Sequence, residues 1–332
     1  MPFWLDIAAF ALKALLIVAA VGAVALIVAI TARGSREEHP DLEVKSLDDR
    51  YDQDEALIRS EILDKRGRKA FAKARKAEKK APRPDKRVFV LRFKGDIGAS
   101  AVGRLGREVD TVLSVARPGV DEVVTRLDSP GGTVTGYGLA ASQLRRLTER
   151  KVQLTICVDQ VAASGGYMMA CVADRILAAP FAIVGSIGVV VQAPNLSKLL
   201  KKNDIEYEEI TAGEYKRTIS LFGEVTPAGR EHFKEKLDAI HGAFKRFVAL
   251  NRPKVDVDRL GNGDIWLASE ALALGLVDEL STADDYLFRM RKSARLYEVS
   301  LPTKRGRWIQ QILGGLGLSE LLTATRGPRF LA

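Results

Sequence analysis

The sequence predicts an α/β protein with a mainly parallel sheet, crossover helices and one N-terminal transmembrane helix. Two features of the 332-residue chain lead to this expectation. Short apolar runs typical of buried strands alternate with longer segments of helical apolar spacing, which is the pattern of a parallel sheet covered by helices. An uncharged apolar stretch near the N-terminus has the length that a bilayer-spanning helix needs.

The N-terminal stretch extends from Ala14 to Ile30, with Lys13 directly before it. A cleaved signal peptide would have a shorter apolar core and a positive start, whereas the first ten residues carry Asp6 as their only charge. A buried core helix would show an amphipathic face, which this stretch lacks. We therefore expect residues 1–32 to form a membrane anchor, with the cleaved signal and the core helix as alternatives.

Residues 33–86 are expected to form a charged, basic linker, with a solvated helix possible from Glu55 to Lys80. Residues 65–87 carry twelve Lys and Arg against two acids, which more than accounts for the net charge of +9. A tether that holds the domain off the bilayer explains this composition. Contact with anionic lipid, worth about 1 kcal/mol per cation near the surface, is the alternative. Nucleic-acid binding is not expected, because no base-stacking aromatic residues are interleaved with these cations.

Residues 87–300 are expected to form a single α/β domain. The predicted strands are Val88 to Phe93, Glu122 to Leu127, Val152 to Val158 and Glu206 to Thr211. The predicted helices are Val102 to Ala116, Tyr137 to Arg150, Leu196 to Lys202 and Pro227 to Leu250. Two cysteines, Cys157 and Cys171, are too few for a disulfide-stapled fold or a multi-cysteine zinc site, and we expect both to pack in the core.

Two glycine-rich loops follow predicted strands, at the position where open α/β sheets place their sites. The loop from Asp128 to Thr133 contains Gly131 and Gly132, which can turn backbone N–H groups toward a ligand, although a plain tight turn has the same sequence. The loop from Ala162 to Met168 places Ser164 among small neighbours at the start of a helix, where negative charge is favoured. An ordinary N-cap serine is the alternative there.

A base is needed to activate such a serine. The chain has three histidines, and the two in the domain, His232 and His241, are expected on the surface of the long helix. A lysine can act instead if desolvation lowers its pKa from about 10.4 by several units. Lys216, directly after the predicted strand at 206–211, is the candidate, although composition alone does not separate it from the other lysines.

Four motifs, in this order and spacing, resemble the S49 signal-peptide-peptidase family and most closely its SohB-type branch. They are DSPGG at 128–132, ASGGYMMA at 163–170, VGSIGV at 184–189 and GEYKR at 213–217. The resemblance covers about 88–287 and includes GDIW at 263–266 and GLVD at 275–278. It implies a ClpP/crotonase-like fold and a serine endopeptidase of the bacterial cytoplasmic membrane.

By motif position, the resemblance implies that Ser164 is the nucleophile and Lys216 the general base of a Ser-Lys dyad. The N–H groups of Gly132 and Gly165 would bind the oxyanion. Ser186 would orient the lysine, with a plain turn serine as the alternative. Water would release the acyl-enzyme, so no metal or nucleotide cofactor is required.

Asp128 departs from the pattern, because many relatives have Asn before this Ser-Pro-Gly-Gly segment; an acid there could change the charge near the oxyanion pocket. The implied substrates are peptides or membrane-associated polypeptide segments, such as signal-peptide remnants. Short relatives form the dyad between neighbouring subunits, which implies a ring-like homo-oligomer.

Three other interpretations stay open. A crotonase-type acyl-CoA enzyme would not need Lys216, a catalytically silent membrane scaffold would tolerate loss of Ser164, and a ClpP-like Ser-His-Asp protease would need His232 or His241. The side of the membrane is open too, since the positive-inside rule favours the cytoplasm and the resemblance favours the outer side. Residues 301–332 are predicted to form an amphipathic tail that packs on protein or lies on anionic lipid.

Overall fold

A nine-stranded, mainly parallel sheet organises the residues that this computed structural model describes, 42–78, 83–213 and 215–301. The strands are β1 (Glu43–Ser46), β2 (Arg87–Lys94), β3 (Glu122–Ser129), β4 (Gln153–Ala163), β5 (Arg175–Ala178), β6 (Ile183–Gly185), β7 (Ile265–Leu267), β8 (Glu279–Leu280) and β9 (Arg295–Ser300). Their order is β1-β9-β2-β3-β4-β5-β8, with β6 paired to β4 and β7 paired to β6. Only the β1–β9 and β6–β7 pairs are antiparallel in this sheet.

Helices cover both faces of the sheet. They are α1 (Leu47–Ile62), α2 (Lys65–Glu78), α3 (Val102–Val115), α4 (Val134–Glu149), α5 (Gly165–Ala170), α6 (Ser197–Lys202), α7 (Pro227–Asn251), α8 (Val257–Leu260), α9 (Ala268–Ala271) and α10 (Ala283–Met290). The α/β architecture with parallel strands and crossover helices is as predicted. The predicted strands that correspond to β2, β3 and β4 and the helices that correspond to α3, α4, α6 and α7 are confirmed, with shifted ends.

Alternate residues of β2 supply the two halves of the core. Phe89, Leu91 and Phe93 pack on the face covered by α3, α4, α5 and α7. Val88 and Val90 pack on the opposite face, under α1 and α10. This division follows from the strand period of two, which sends successive side chains to opposite faces. Both faces are therefore buried, which explains why β2 has a nearly continuous apolar sequence.

Residues 42–62 belong to the folded unit, although they lie within the expected linker. β1 extends the sheet by pairing with β9, and Leu47 at the start of α1 is 3% exposed. The Asp48 carboxylate accepts the Leu296 N–H at 2.9 Å, and the Arg291 guanidinium donates to Asp52 at 3.1 Å. The helix expected from Glu55 to Lys80 is two helices, α1 and α2, with a break at residues 63–64.

The predicted strand at Glu206–Thr211 is wrong. These residues have no regular secondary structure, most are exposed, and no strand of the described sheet lies beside them. A strand without a partner leaves its backbone N–H and C=O groups to water, so the local β propensity is not sufficient.

The expected anchor at residues 1–32 and the expected tail beyond Leu301 lie outside the described residues. Among residues 42–78, 83–213 and 215–301, no helix combines the length and the apolar composition needed to cross a bilayer.

Candidate active site

The site residues of β3, β4 and β6 meet at the carboxyl ends of these strands. Ala163 of β4 pairs with Gly185 of β6. The residues that follow these strands, Ser164 and Ser186, are therefore neighbours at one end of the sheet. The Ser164 N–H donates to the Gly185 carbonyl at 2.8 Å. Parallel pairing thus brings together two motifs that begin at residues 163 and 184 of the sequence.

Ser164 sits on a sharp turn between β4 and α5. Its φ of 52° and ψ of −119° form a conformation that residues with a Cβ avoid, at a cost of about 1–3 kcal/mol. Its side chain does not cap α5, so the N-cap interpretation is wrong. The residue is half-buried, and its hydroxyl has no hydrogen-bond partner within the described chain. The hydroxyl is therefore free to contact a bound molecule.

Gly131 packs directly against Ser164. A Cβ at Gly131 would lie 2.7 Å from the Ser164 Cβ and 2.8 Å from the Gly165 nitrogen, and its φ is +92°. The two predicted oxyanion donors flank this contact, at Gly132 and Gly165. Neither of their N–H groups donates a hydrogen bond to another described residue. Two unpaired amides beside a reachable hydroxyl are able to bind a developing oxyanion.

Ser186 also has a positive φ, 53°, and its N–H donates to the Asp264 carbonyl at 2.7 Å. The next residue, Ile187, accepts a hydrogen bond at 3.1 Å from Nε2 of His241 when that nitrogen is protonated. Backbone contacts therefore hold the Ser186 loop against β7 and α7. No hydrogen bond joins Ser186 to Lys216 in the described chain.

Lys216 is exposed, and the structure does not place it in contact with Ser164. Its N–H donates to the Gly213 carbonyl at 3.1 Å. The preceding residue, Tyr215, stacks on His232 of α7 with ring centroids 3.8 Å apart. The segment is thus fastened to α7. No hydrogen bond joins the predicted serine to the predicted lysine in the described chain.

His232 and His241 are half-buried rather than on the surface, because each contacts a loop that carries a predicted site residue. Neither makes a hydrogen bond to Ser164 in the described chain, so no Ser-His pair forms there. Cys157 and Cys171 are buried as expected, and burial raises the pKa of each thiol to about 12. Neither is therefore a thiolate nucleophile near neutral pH.

Asp128 contributes its backbone to this region, since its carbonyl accepts the Gly95 N–H at 2.9 Å. No group of three or more His, Cys, Asp or Glu side chains in residues 42–78, 83–213 and 215–301 is arranged to hold a metal ion.

Ser129 and Tyr137 are two buried residues of the site that sequence reasoning missed. Ser129 lies inside the DSPGG motif, and its Oγ is 2.6 Å from the Tyr137 hydroxyl. Tyr137 was expected only as an apolar residue of a helix, which is what its spacing on α4 indicates. A serine that precedes Pro-Gly-Gly at the end of a strand was the available signal for Ser129. Nothing local marks Tyr137.

Two models of one protein family match this chain. The model of peptidase family S49 matches residues 146–297, and that of the S49 N-terminal region matches residues 2–144. The probable protease SohB of Haemophilus influenzae is 43% identical over 286 residues, which cover 80% of this chain and 79% of that protein. The putative protease SohB of Buchnera aphidicola is 42% identical over 311 residues, covering 88% and 89%.

Two solved structures show more distant similarity. A mutant of the 1510-N membrane-bound stomatin-specific protease in complex with a substrate peptide is 15% identical, with a TM-score of 0.42, covering 68% of this chain and 97% of that chain. A ClpP1 mutant from Listeria monocytogenes is 14% identical, with a TM-score of 0.41, covering 60% and 94%. The family matches along residues 2–297 and the relatives above 40% identity establish that this chain belongs to peptidase family S49 and is a peptidase.

Proposed function

We propose that this peptidase is a membrane-anchored serine endopeptidase in which Ser164 and Lys216 form a catalytic dyad. The observation that carries the proposal is the uncapped, strained Ser164 beside the unpaired N–H groups of Gly132 and Gly165. The substrates are peptides or membrane-associated polypeptide segments, such as signal-peptide remnants.

In the proposed reaction, the neutral Lys216 amine accepts the hydroxyl proton while Ser164 Oγ attacks the peptide carbonyl carbon. The carbonyl oxygen becomes an oxyanion, which the N–H groups of Gly132 and Gly165 stabilise. The lysine returns its proton to the leaving amine as the C–N bond breaks. Water then attacks the acyl-enzyme with the same lysine as base, which releases the acid and restores Ser164.

We propose further that Lys216 reaches Ser164 across a subunit interface in a ring-like homo-oligomer. Two observations support this. Lys216 is exposed, and no hydrogen bond joins it to Ser164 within the described chain. Several large apolar side chains on the same stretch are more than half exposed: Val190, Leu199, Ile205, Ile210 and Tyr215. A second copy seated here would bury these apolar side chains and exclude water from the segment that carries Lys216.

We place the protein in the bacterial cytoplasmic membrane, with residues 1–32 as the anchor and α2 against anionic lipid. The seven Lys and Arg of α2 outnumber its single acid, Glu78, and the helix is largely exposed. Four cations line a groove of about 430 Å³ between α1 and α2. Such a surface suits phosphate headgroups, at about 1 kcal/mol per cation.

Vesicle sedimentation of the chain without residues 1–32 tests this contact. Lys69→Gln with Lys73→Gln should lower binding to phosphatidylglycerol vesicles by roughly 30-fold, the equivalent of two cations. Lys234→Gln with Lys236→Gln, on exposed positions of α7, is the matched control and should leave binding unchanged. Equal binding to phosphatidylcholine vesicles would exclude an electrostatic contact.

Alanine substitution tests the dyad in the full-length protein. Ser164→Ala and Lys216→Ala should each lower kcat on a quenched-fluorescent peptide by about a thousandfold or more, and the double variant should lose no more than either single variant. Ser114→Ala and Lys198→Ala, both at exposed positions, are controls that should keep wild-type activity. Substantial hydrolysis by Lys216→Ala would overturn the dyad.

The pH profile gives a second test of the base. Activity should rise with pH if a lysine is the base, because only a neutral amine can accept the serine proton. A fluorophosphonate should label Ser164 in the wild type and not in Ser164→Ala. A rate that stays constant from about pH 6 to 10 while chemistry is rate-limiting would argue against a lysine base.

A further inference from the structure

Three hydrogen bonds form a chain behind the nucleophile, and its direction is fixed. The Gly131 N–H donates to Ser129 Oγ at 3.1 Å, and the Tyr137 hydroxyl donates to the Asp96 carbonyl at 2.9 Å. Tyr137 has one hydroxyl proton, which the carbonyl takes, so the 2.6 Å contact between the two hydroxyls is donated by Ser129. Each hydroxyl thus donates once and accepts once, and both residues have no exposed surface.

This hydrogen-bond chain fixes one side of the peptide unit that carries the Gly132 N–H. The Gly131 N–H before it is held by Ser129, and the Thr133 N–H after it donates to the Ile97 carbonyl at 2.8 Å. With both neighbouring amides tied, the intervening Gly132 N–H has little freedom to rotate, although glycine itself is permissive. Loss of the Ser129 bond would release the Gly131 side of this unit.

The same two residues pack against the loop that carries the second predicted oxyanion donor, Tyr137 through its ring and Ser129 through its backbone carbonyl. A Cβ at Gly165 would lie 2.4 Å from the Tyr137 ring, and a Cβ at Gly166 would lie 2.5 Å from the Ser129 carbonyl oxygen. Gly95 closes the pair from the other side, since a Cβ there would lie 2.1 Å from Ser129 Oγ. Ser129 and Tyr137 therefore touch both glycine loops that meet at Ser164.

Burial raises the pKa of Tyr137 above its usual value, although the hydrogen bond from Ser129 opposes this. The phenol thus keeps its proton across the working pH range. The direction of the three hydrogen bonds therefore does not change with pH. Its ring is a rigid surface against which Gly165 packs. Its hydroxyl joins the hydrogen-bond chain to the Asp96 carbonyl.

We propose that Ser129 and Tyr137 are positioning residues for catalysis, and that their hydrogen-bond chain holds the Gly132 and Gly165 amides in the geometry that binds the oxyanion. This rests on the proposed function, in which Ser164 is the nucleophile. The two residues act only through the amides and touch no substrate. Their loss should therefore affect the transition state more than the binding of the ground-state substrate.

The test uses the full-length enzyme and the variants Tyr137→Phe and Ser129→Ala. Each should lower kcat by about 10- to 100-fold with KM unchanged, which is less than the roughly 100- to 1,000-fold that removal of an oxyanion donor costs. The rate of inactivation by a fluorophosphonate, whose phosphoryl oxygen needs the same donors, should fall in parallel. The double variant should be no worse than the more severe single variant, because both interrupt one chain.

Tyr286→Phe is the matched control. Its buried hydroxyl also makes a hydrogen bond, to Glu122 at 2.7 Å, but at the amino end of β3 rather than at the carboxyl end where Ser129 lies. Rates are corrected for the fraction of active serine and compared with melting temperatures. Tyr286→Phe should lose stability without a change in kcat. An equal fall in kcat in this control would overturn the proposal, because it would show a general effect of destabilisation.

The outcomes also separate this proposal from the proposed function. If Ser164→Ala is inactive while Tyr137→Phe and Ser129→Ala keep the wild-type kcat, only the positioning role is overturned. If Ser164→Ala stays active, the nucleophile assignment falls, and the positioning role falls with it. If Tyr137→Phe does not fold, Ser129→Ala alone decides, since it removes only the hydroxyl that accepts from Gly131 and donates to Tyr137.

Discussion

Ser164 keeps a backbone conformation that its surroundings impose. Its N–H is bound to Gly185 and its carbonyl accepts the Met168 N–H at 3.0 Å, so both sides of the residue are fixed. Ser186, at the matching position after β6, has nearly the same φ. Because alanine and serine carry the same Cβ, Ser164→Ala keeps the strain, and its loss of activity would report on chemistry rather than on folding.

Gly131→Ala is predicted to abolish activity, because a Cβ there meets Ser164 Cβ and the Gly165 nitrogen at less than 3 Å. Part of the effect will come from the φ of +92°, which costs a residue with a Cβ about 1–2 kcal/mol. Gly119→Ala is the control, since its φ is +72° and nothing lies within 4 Å of the added methyl group. Both variants should lose stability in urea, and only Gly131→Ala should lose hydrolysis. Activity retained in Gly131→Ala would show that this contact does not shape the site.

The sequence predicts the site residues at positions where the chemistry requires small side chains. Ser164 and the glycines around it could be predicted, because a reachable hydroxyl and close backbone approach need small neighbours after strands. Tyr137 could not, since its contact with Ser129 depends on how α4 packs under α5. The position of Lys216 could not be predicted either, because the strand expected before it has no partner in the sheet.

Strand β4 is longer than its apolar sequence run predicts. The apolar run predicts an end at Val158, but the strand continues to Ala163 and changes partner from β5 to β6. The register with β3 shifts after Leu127, so that Ser129 pairs with Ala162. Asp159 sits in this irregular stretch, where its carboxylate accepts the Ala283 N–H and binds Arg126. Tertiary contacts, rather than periodicity, extend β4 far enough to place Ser164.

Helix α1 packs on the folded core through Leu47. Leu47→Ala should destabilise the protein by about 2–4 kcal/mol, because Leu47 is buried against Val88 and Leu296 in the core. Leu57→Ala on the same helix is the control, since Leu57 is 67% exposed and should change the free energy of unfolding by less than about 0.5 kcal/mol. Urea unfolding followed by tryptophan fluorescence measures both. Equal stabilities would mean that α1 is a tether after all.

A basic surface and a group of exposed apolar side chains lie on two different segments of the described chain. The cations concentrate on and around α2, whereas the exposed large apolar side chains include a group along residues 190–215, around the segment that carries Lys216. An apolar surface of this kind suits a second copy of the chain, and a basic surface suits an anionic bilayer. The proposed ring contact and the proposed membrane contact therefore use different residues.

Mixing two inactive variants tests whether the active site is shared between subunits. In a head-to-tail ring, each interface takes its serine from one protomer and its lysine from the next. Ser164→Ala protomers mixed with equal amounts of Lys216→Ala protomers should therefore regain activity, because some interfaces join an intact serine to an intact lysine. With random assembly, about one quarter of the interfaces are of this kind, so recovery should approach one quarter of the wild-type rate.

The matched control is Ser164→Ala mixed with the double variant, in which no interface holds an intact serine and no recovery is expected. Differently tagged protomers, co-purified through one tag, show that subunits have exchanged. If mixed oligomers form and the first mixture stays inactive, the serine and lysine must meet within one chain. The exposed segment around Lys216 would then have to fold back onto its own Ser164, and the apolar side chains beside it would need a different explanation.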